Sequence, residues 1–219
     1  MIADCDTNVV FVADALERRF PAVYRELASI LAEHAIPLRT IPGTLDVWCR
    51  DYLPIQVSED RFVQFRYAPD YLSGKYRRLR ADGEIGPTLP WIRNCVRSEI
   101  VLDGGNLVAW GDRAIVTEKV FRENRSHSRA EVRNALMNVL GLAELIVVPQ
   151  ESQDRIGHAD GMVCWLGERT VLINDYSSVG KDFRRKIHES LDWHQLEIVE
   201  LPYEPQPGGR DGIPTAAGN

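Results

Sequence analysis

"LDGGNLVAWGDRAIVTEKV", residues 102–120, holds an aspartate in a glycine loop and then two apolar runs turned about Gly-Asp at 111–112. Two β-forming runs joined by such a dipeptide predict a hairpin. The stretch therefore reads as a loop that feeds a hairpin. The same succession occurs on both sides of it. "VWCRDYLPI" (47–55) leads into runs at 54–57 and 61–67 turned by "SED", and "GHADGMVCW" (157–165) leads into "RTVLIN" across Gly-Glu at 167–168. Asp51, Asp103 and Asp160 occupy the loops, and Arg61, Arg113 and Arg169 occupy the hairpin tips. The interval is about 55 residues, which marks an internal repeat.

The segments between the hairpins complete the unit. Helices are predicted at 128–140 and 180–194, and strands at 143–149 and 196–202. Ahead of the first loop come a strand at 8–13, a helix over 20–34 and a strand near 37–41. The helix carries Phe20, Val23, Tyr24, Leu27, Ile30 and Leu31 at helical spacing. In the first full unit the helix falls within 72–98, a stretch with a basic patch and prolines. Each unit is thus ββαβ, and the fold class is α+β. Loops at one phase of a repeat fall on one side of an assembly, and a closed ring would gather them at its centre.

Composition sets outer limits. The chain has 219 residues, 44% hydrophobic and 26% charged, as expected of a globular protein read here as a single domain over 1–219. A net charge of −6 gives no reason to expect nucleic-acid binding and slightly favours a cationic ligand. No apolar run approaches the roughly 18 residues of a membrane span, and the acidic N-terminus is no signal sequence. Cys5, Cys49, Cys95 and Cys164 are scattered, without metal-binding or disulfide spacing. The expected location is the cytoplasm.

The loops bring Asp51, Asp103, His158 and Asp160 into question as one site. Converging carboxylates suit a cation, and a guanidinium offers five N–H donors for bidentate pairing. An imidazole beside carboxylates moves protons near neutral pH. Trp48 could wall a flat cation. A divalent metal on Asp, Asp and His is the competing reading, with no second histidine near. A glycosidase pair would leave His158 without a role. Asp51 is adjacent to Arg50, which is expected to be a structural neighbour held in an ion pair.

"WCRDYLPIQ", "DGGN" followed by "VTEKVFREN", and "GHADGMV" followed by "VLINDY" resemble the agmatine deiminase and Porphyromonas-type peptidylarginine deiminase family. The resemblance implies the pentein fold, a five-bladed ββαβ propeller of guanidino-group-modifying enzymes. It implies hydrolysis of the guanidino group of agmatine or an arginine derivative to a ureido group and ammonia, through a covalent cysteine thiouronium and with no cofactor. By motif match, Asp51 and Asp160 grip the guanidinium, and His158 moves protons. Asp103 stands where agmatine-specific members carry glutamate. The implied partner is a small guanidino substrate, with neither nucleic acid nor membrane; a homo-oligomer is left open. The family's cysteine lies in a glycine-rich segment near the end of the last blade, and no such segment occurs here. Five units would take about 275 residues, so about three and a half to four blades are expected. The chain is therefore expected to be C-terminally truncated and inactive as given, or else a non-catalytic guanidino-binding or structural protein of the same fold.

Overall fold

The structure, a computed structural model, describes residues 1–2, 6–152 and 154–204. The first elements are β1 (Val10–Ala13), α1 (Asp14–Arg19), α2 (Pro21–Glu33) and β2 (Leu38–Ile41), with β1 and β2 paired in parallel. A short helix α3 (Cys49–Tyr52) follows. Then come three sheets of one design, each a hairpin whose second strand pairs in parallel with a later third strand. The first is β3 (Ile55–Gln56), β4 (Arg61–Arg66) and β5 (Asn94–Val101). The second is β6 (Val108–Trp110), β7 (Arg113–Thr117) and β8 (Glu144–Val148), with α4 (Lys119–Glu123) and α5 (Arg129–Leu140) in the crossover. The third is β9 (Val163–Trp165), β10 (Thr170–Asn174) and β11 (Glu197–Leu201), crossed over by α6 (Lys181–Asp192). A parallel pair needs such a crossover, whereas the antiparallel pair closes with a tight turn.

Local chemistry explains the elements. Gly111 turns the β6–β7 hairpin at φ +58°, a conformation open to glycine at little cost. Helix α5 begins at a capping box between Ser128 and Glu131 and ends on Gly141 in the left-handed conformation. Strand β7 alternates with period two. Ala114 and Val116 face one core with Val63, Phe65, Val132 and Leu136, and Ile115 faces another with Val163, Trp165, Val171 and Ile187. The second sheet is therefore buried on both faces, between its neighbours.

Three local expectations are corrected. The crossover of the first sheet is not an α-helix but 3₁₀ turns over Gly74–Glu84 and Gly86–Thr88, followed by β5, the closing strand of the unit, whose place the sequence does not mark. Pro87 and Pro90 interrupt any α-helical run. β5 is an edge strand in which only Ile100 and Val101 are buried, so its sequence shows little alternation. "DALERR" forms the extra helix α1. "TEKV", read as the end of a strand, instead leaves the sheet at Thr117 and turns into α4. The tail at 205–219, read as a Pro/Gly-rich loop, lies outside the described residues. Among those described, no helix is long and apolar enough to cross a membrane.

The hairpin-tip arginines join neighbouring elements. Arg61 donates to the Val139 carbonyl in the last turn of α5, at 2.6 Å. Arg113 pairs with Glu144 at 2.6 Å and donates to the carbonyls of Glu168 (3.0 Å) and His194 (3.3 Å). Carbonyls near a helix C-terminus carry partial negative charge and favour a cation. Arg113→Ala is expected to cost about 2 kcal/mol, seen as a lower urea midpoint, because it leaves the partly buried Glu144 with His194 alone and frees two carbonyls. Arg113→Lys should recover less than half, since one ammonium cannot span the three acceptors.

Candidate functional site

Asp51 is set by α3, which is anchored from both sides. The buried Tyr52 hydroxyl donates to the Asp46 carbonyl at 3.1 Å, and Gln64 donates to the Tyr52 carbonyl at 3.1 Å. The 103–106 loop lies against this helix. An added Cβ on Gly104 would stand 2.0 Å from the Arg50 carbonyl oxygen, so only glycine allows that approach. Gly105 then links the other two loops. Its N–H donates to Asp51 Oδ1 and its carbonyl accepts from Asp160 N–H, each at 3.0 Å. The 157–160 loop is tied to β7 by the Thr117 hydroxyl, which donates to the Gly157 carbonyl at 2.7 Å.

The four polar residues foreseen from the sequence therefore meet. An added Cβ on Gly105 would fall 2.6 Å from Asp51 Oδ1, 2.6 Å from His158 Nδ1 and 3.0 Å from Asp160 Oδ2. His158 Nε2 lies 2.9 Å from Asp103 Oδ2, and His158 Nδ1 lies 3.5 Å from Asp51 Oδ1. Trp48 immediately precedes α3 and is 53% exposed. Arg50 is in an ion pair, but with Asp160 (Nε to Oδ2, 3.5 Å) and not with its neighbour Asp51. A helical turn projects adjacent residues in different directions, which separates the two.

Burial sets the electrostatics. It pushes Asp51 up to about 6, with His158 opposing the rise and the charges of Asp103 and Asp160 adding to it. Burial also raises Asp160, against the pull of His158 and Arg50. For Asp103 burial favours the neutral acid, but the His158 hydrogen bond and the Lys119 charge outweigh it and hold the carboxyl below its usual range. For His158 burial favours the neutral ring, and the bond to Asp103 with the charge of Asp51 reverses that, raising it above 6.5. An ionised Asp103 can only accept, so it fixes the proton on His158 Nε2 and turns Nδ1 toward Asp51. Such an arrangement can hold a planar cation and exchange a proton beside it.

Sequence reasoning missed what lies beneath the imidazole. Lys119 is wholly buried, bonded to Asp103 and 3.1 Å from Glu123. The Tyr71 ring stands edge-on to His158 at 5.9 Å, with the Lys119 ammonium 5.1 Å from its centre. Lys119 and Glu123 are four apart in "EKVFRE", a spacing that signals a pair but is more usual on a solvated helix face. Among the described cysteines, none contacts His158. The Cys49 thiol donates to the Phe11 carbonyl at 3.6 Å, and burial raises it away from the thiolate. Cys164 is exposed on β9, and Cys95 lies in β5.

A family model for Porphyromonas-type peptidyl-arginine deiminase matches residues 2–207. No curated protein matches the sequence. The fold is similar to that of C. jejuni agmatine deiminase, with a TM-score of 0.70 and 15% identity over 90% of this chain and 72% of that one. It is also similar to agmatine deiminase of Enterococcus faecalis, with a TM-score of 0.68 and 16% identity over 88% of this chain and 67% of that one. At these identities the likeness is one of fold, and it agrees with the α+β repeat described above.

Proposed function

Because the chain belongs to the Porphyromonas-type peptidyl-arginine deiminase family, we propose that it binds the guanidinium of agmatine or an arginine derivative with the binding and proton-transfer groups of a guanidino hydrolase. Residues 1–219 are read as one deiminase domain, its three-stranded sheets as blades of a five-bladed ring. The observation that carries the reading is the convergence of Asp51, Asp160 and His158 on Gly105. A half-buried Asp51 raised to about 6 and a more exposed Asp160, also raised by desolvation, both gain from a cation placed beside them.

In this reading Asp51 and Asp160 accept the guanidinium N–H groups. A thiolate attacks the guanidinium carbon, His158 gives a proton to the departing ammonia, and a covalent thiouronium is left. Water, losing a proton to His158, then attacks that carbon and releases the ureido product and the thiol. None of the described thiols is placed for the first step, so the 219-residue chain should bind without turnover.

Calorimetric titration with agmatine and with arginine amide tests this. Asp160→Asn should weaken binding tenfold or more, since one charged hydrogen-bonding partner is lost. Binding a cation lowers the Asp51 pKa and releases its proton, so affinity should fall as pH drops below about 6. Equal affinity of wild type and Asp160→Asn would overturn the assignment. Ammonia release on the order of 1 s⁻¹, an ordinary enzyme rate, would show that one of the thiols present serves as nucleophile.

A further inference from the structure

We propose that Lys119 is a positioning residue which, through Asp103, keeps the proton of His158 exchangeable near neutral pH. The inference rests on the reading of His158 as the proton-transfer group. Its basis is geometric. The Lys119 ammonium and His158 Nε2 both address one atom, Asp103 Oδ2. Asp103 and Lys119 are wholly buried, and His158 nearly so. A buried carboxylate needs a counter-charge, and among the described residues Lys119 and His158 are the two cations paired with this one. Were Lys119 absent, His158 would have to supply that charge and would stay an imidazolium. With Lys119 in place Asp103 is already neutralised, and the ring is free to give and take a proton. A shuttle must do both, and its proton affinity must therefore lie near the working pH.

The surroundings of His158 are otherwise mostly acidic. Asp51 faces it from α3 and Asp160 from its own loop, with Arg50 beyond Asp160. Asp103 lies against Nε2, Glu123 lies behind Lys119, and Tyr71, backed by Tyr67, covers the ring edge. Lys119 is the cation that offsets these carboxylates on the buried side. Glu123 tempers it, since an ammonium shared between two carboxylates gives less to each. The pair sets opposite signs for two substitutions.

The experiment is an NMR titration of the ¹⁵N-histidine-labelled full chain without ligand. The chain has five histidines, and His158→Gln identifies the resonance. In Lys119→Met the His158 midpoint should rise by about one pH unit or more, the usual effect of one neighbouring charge. In Glu123→Gln it should fall. If Lys119 only filled space, Lys119→Met would loosen the site and move the midpoint down toward the 6.5 of an ordinary histidine. A fall or no change in Lys119→Met, or a rise in Glu123→Gln, overturns the proposal. Should Lys119→Met fail to fold, the sign in Glu123→Gln decides. The titration uses no guanidino ligand, so a failure here is distinct from a failure of guanidinium binding.

Discussion

Gly104→Ala is expected to cost on the order of 4 kcal/mol of folding stability and to lower the melting temperature by roughly 8 °C or more. The new Cβ would lie 2.0 Å from the Arg50 carbonyl oxygen and 3.1 Å from its carbon. Both atoms are backbone, so no side chain can swing away. The loop would have to leave α3, taking with it the Gly105 N–H that holds Asp51. Gly105→Ala is the informative neighbour. Its Cβ meets the ends of the Asp51, His158 and Asp160 side chains, which can move by rotation. Its stability loss should stay within about 2 kcal/mol, while affinity for a guanidinium falls a hundredfold or more, because the methyl occupies the point where the three groups converge. Urea denaturation and calorimetry on both variants separate the effects. A Gly104→Ala protein as stable as wild type would mean that the loop and α3 are not in contact.

Asp51→Asn should make the protein more stable near neutral pH and poorer at binding. With its folded pKa raised from 3.8 to about 6, Asp51 favours folding less once it ionises. Below 3.8 the carboxyl is protonated in both states and contributes no difference. As pH rises toward 6, the unfolded chain ionises while the folded one holds its proton, and stability is lost. Above that window the loss is constant, about 1–3 kcal/mol once the opposing effect on His158 is allowed for. An amide of the same shape escapes it and still accepts from Gly105. Melting temperature against pH should therefore show the variant and the wild type together near pH 4 and apart by about 2–8 °C near pH 7. Guanidinium affinity should drop at least tenfold. A variant less stable than wild type near neutral pH would show that Asp51 is held by a counter-charge rather than strained by burial.

The two effects explain why the site was legible early. Asp103, His158 and Asp160 sit in loops and Asp51 in the short helix α3, all at one phase of a repeat, and the hairpins that follow announce themselves through alternation and glycine turns. Helix α5 and strands β7 and β8 have buried faces, so their periods are written in apolar residues. Strand β5 has no such period. It lies at a sheet edge and owes its existence to parallel pairing with β4, a contact between segments separated by the 3₁₀ turns.

The amino-acid sequence by itself determined the repeat, the hairpins and the four polar residues, because these depend on spacing within tens of residues. The tertiary structure decided who partners whom. Arg50 stands beside Asp51 in the chain yet pairs with Asp160, and the Lys119–Glu123 pair, of a spacing usual on a solvated helix face, is buried under His158. Burial turns an ordinary aspartate into one poised near 6 and ties a lysine to an imidazole through one carboxylate oxygen. Neither desolvation nor the distance between charges on different loops is a local property of the chain, and both arise only when the loops are brought together around Gly105.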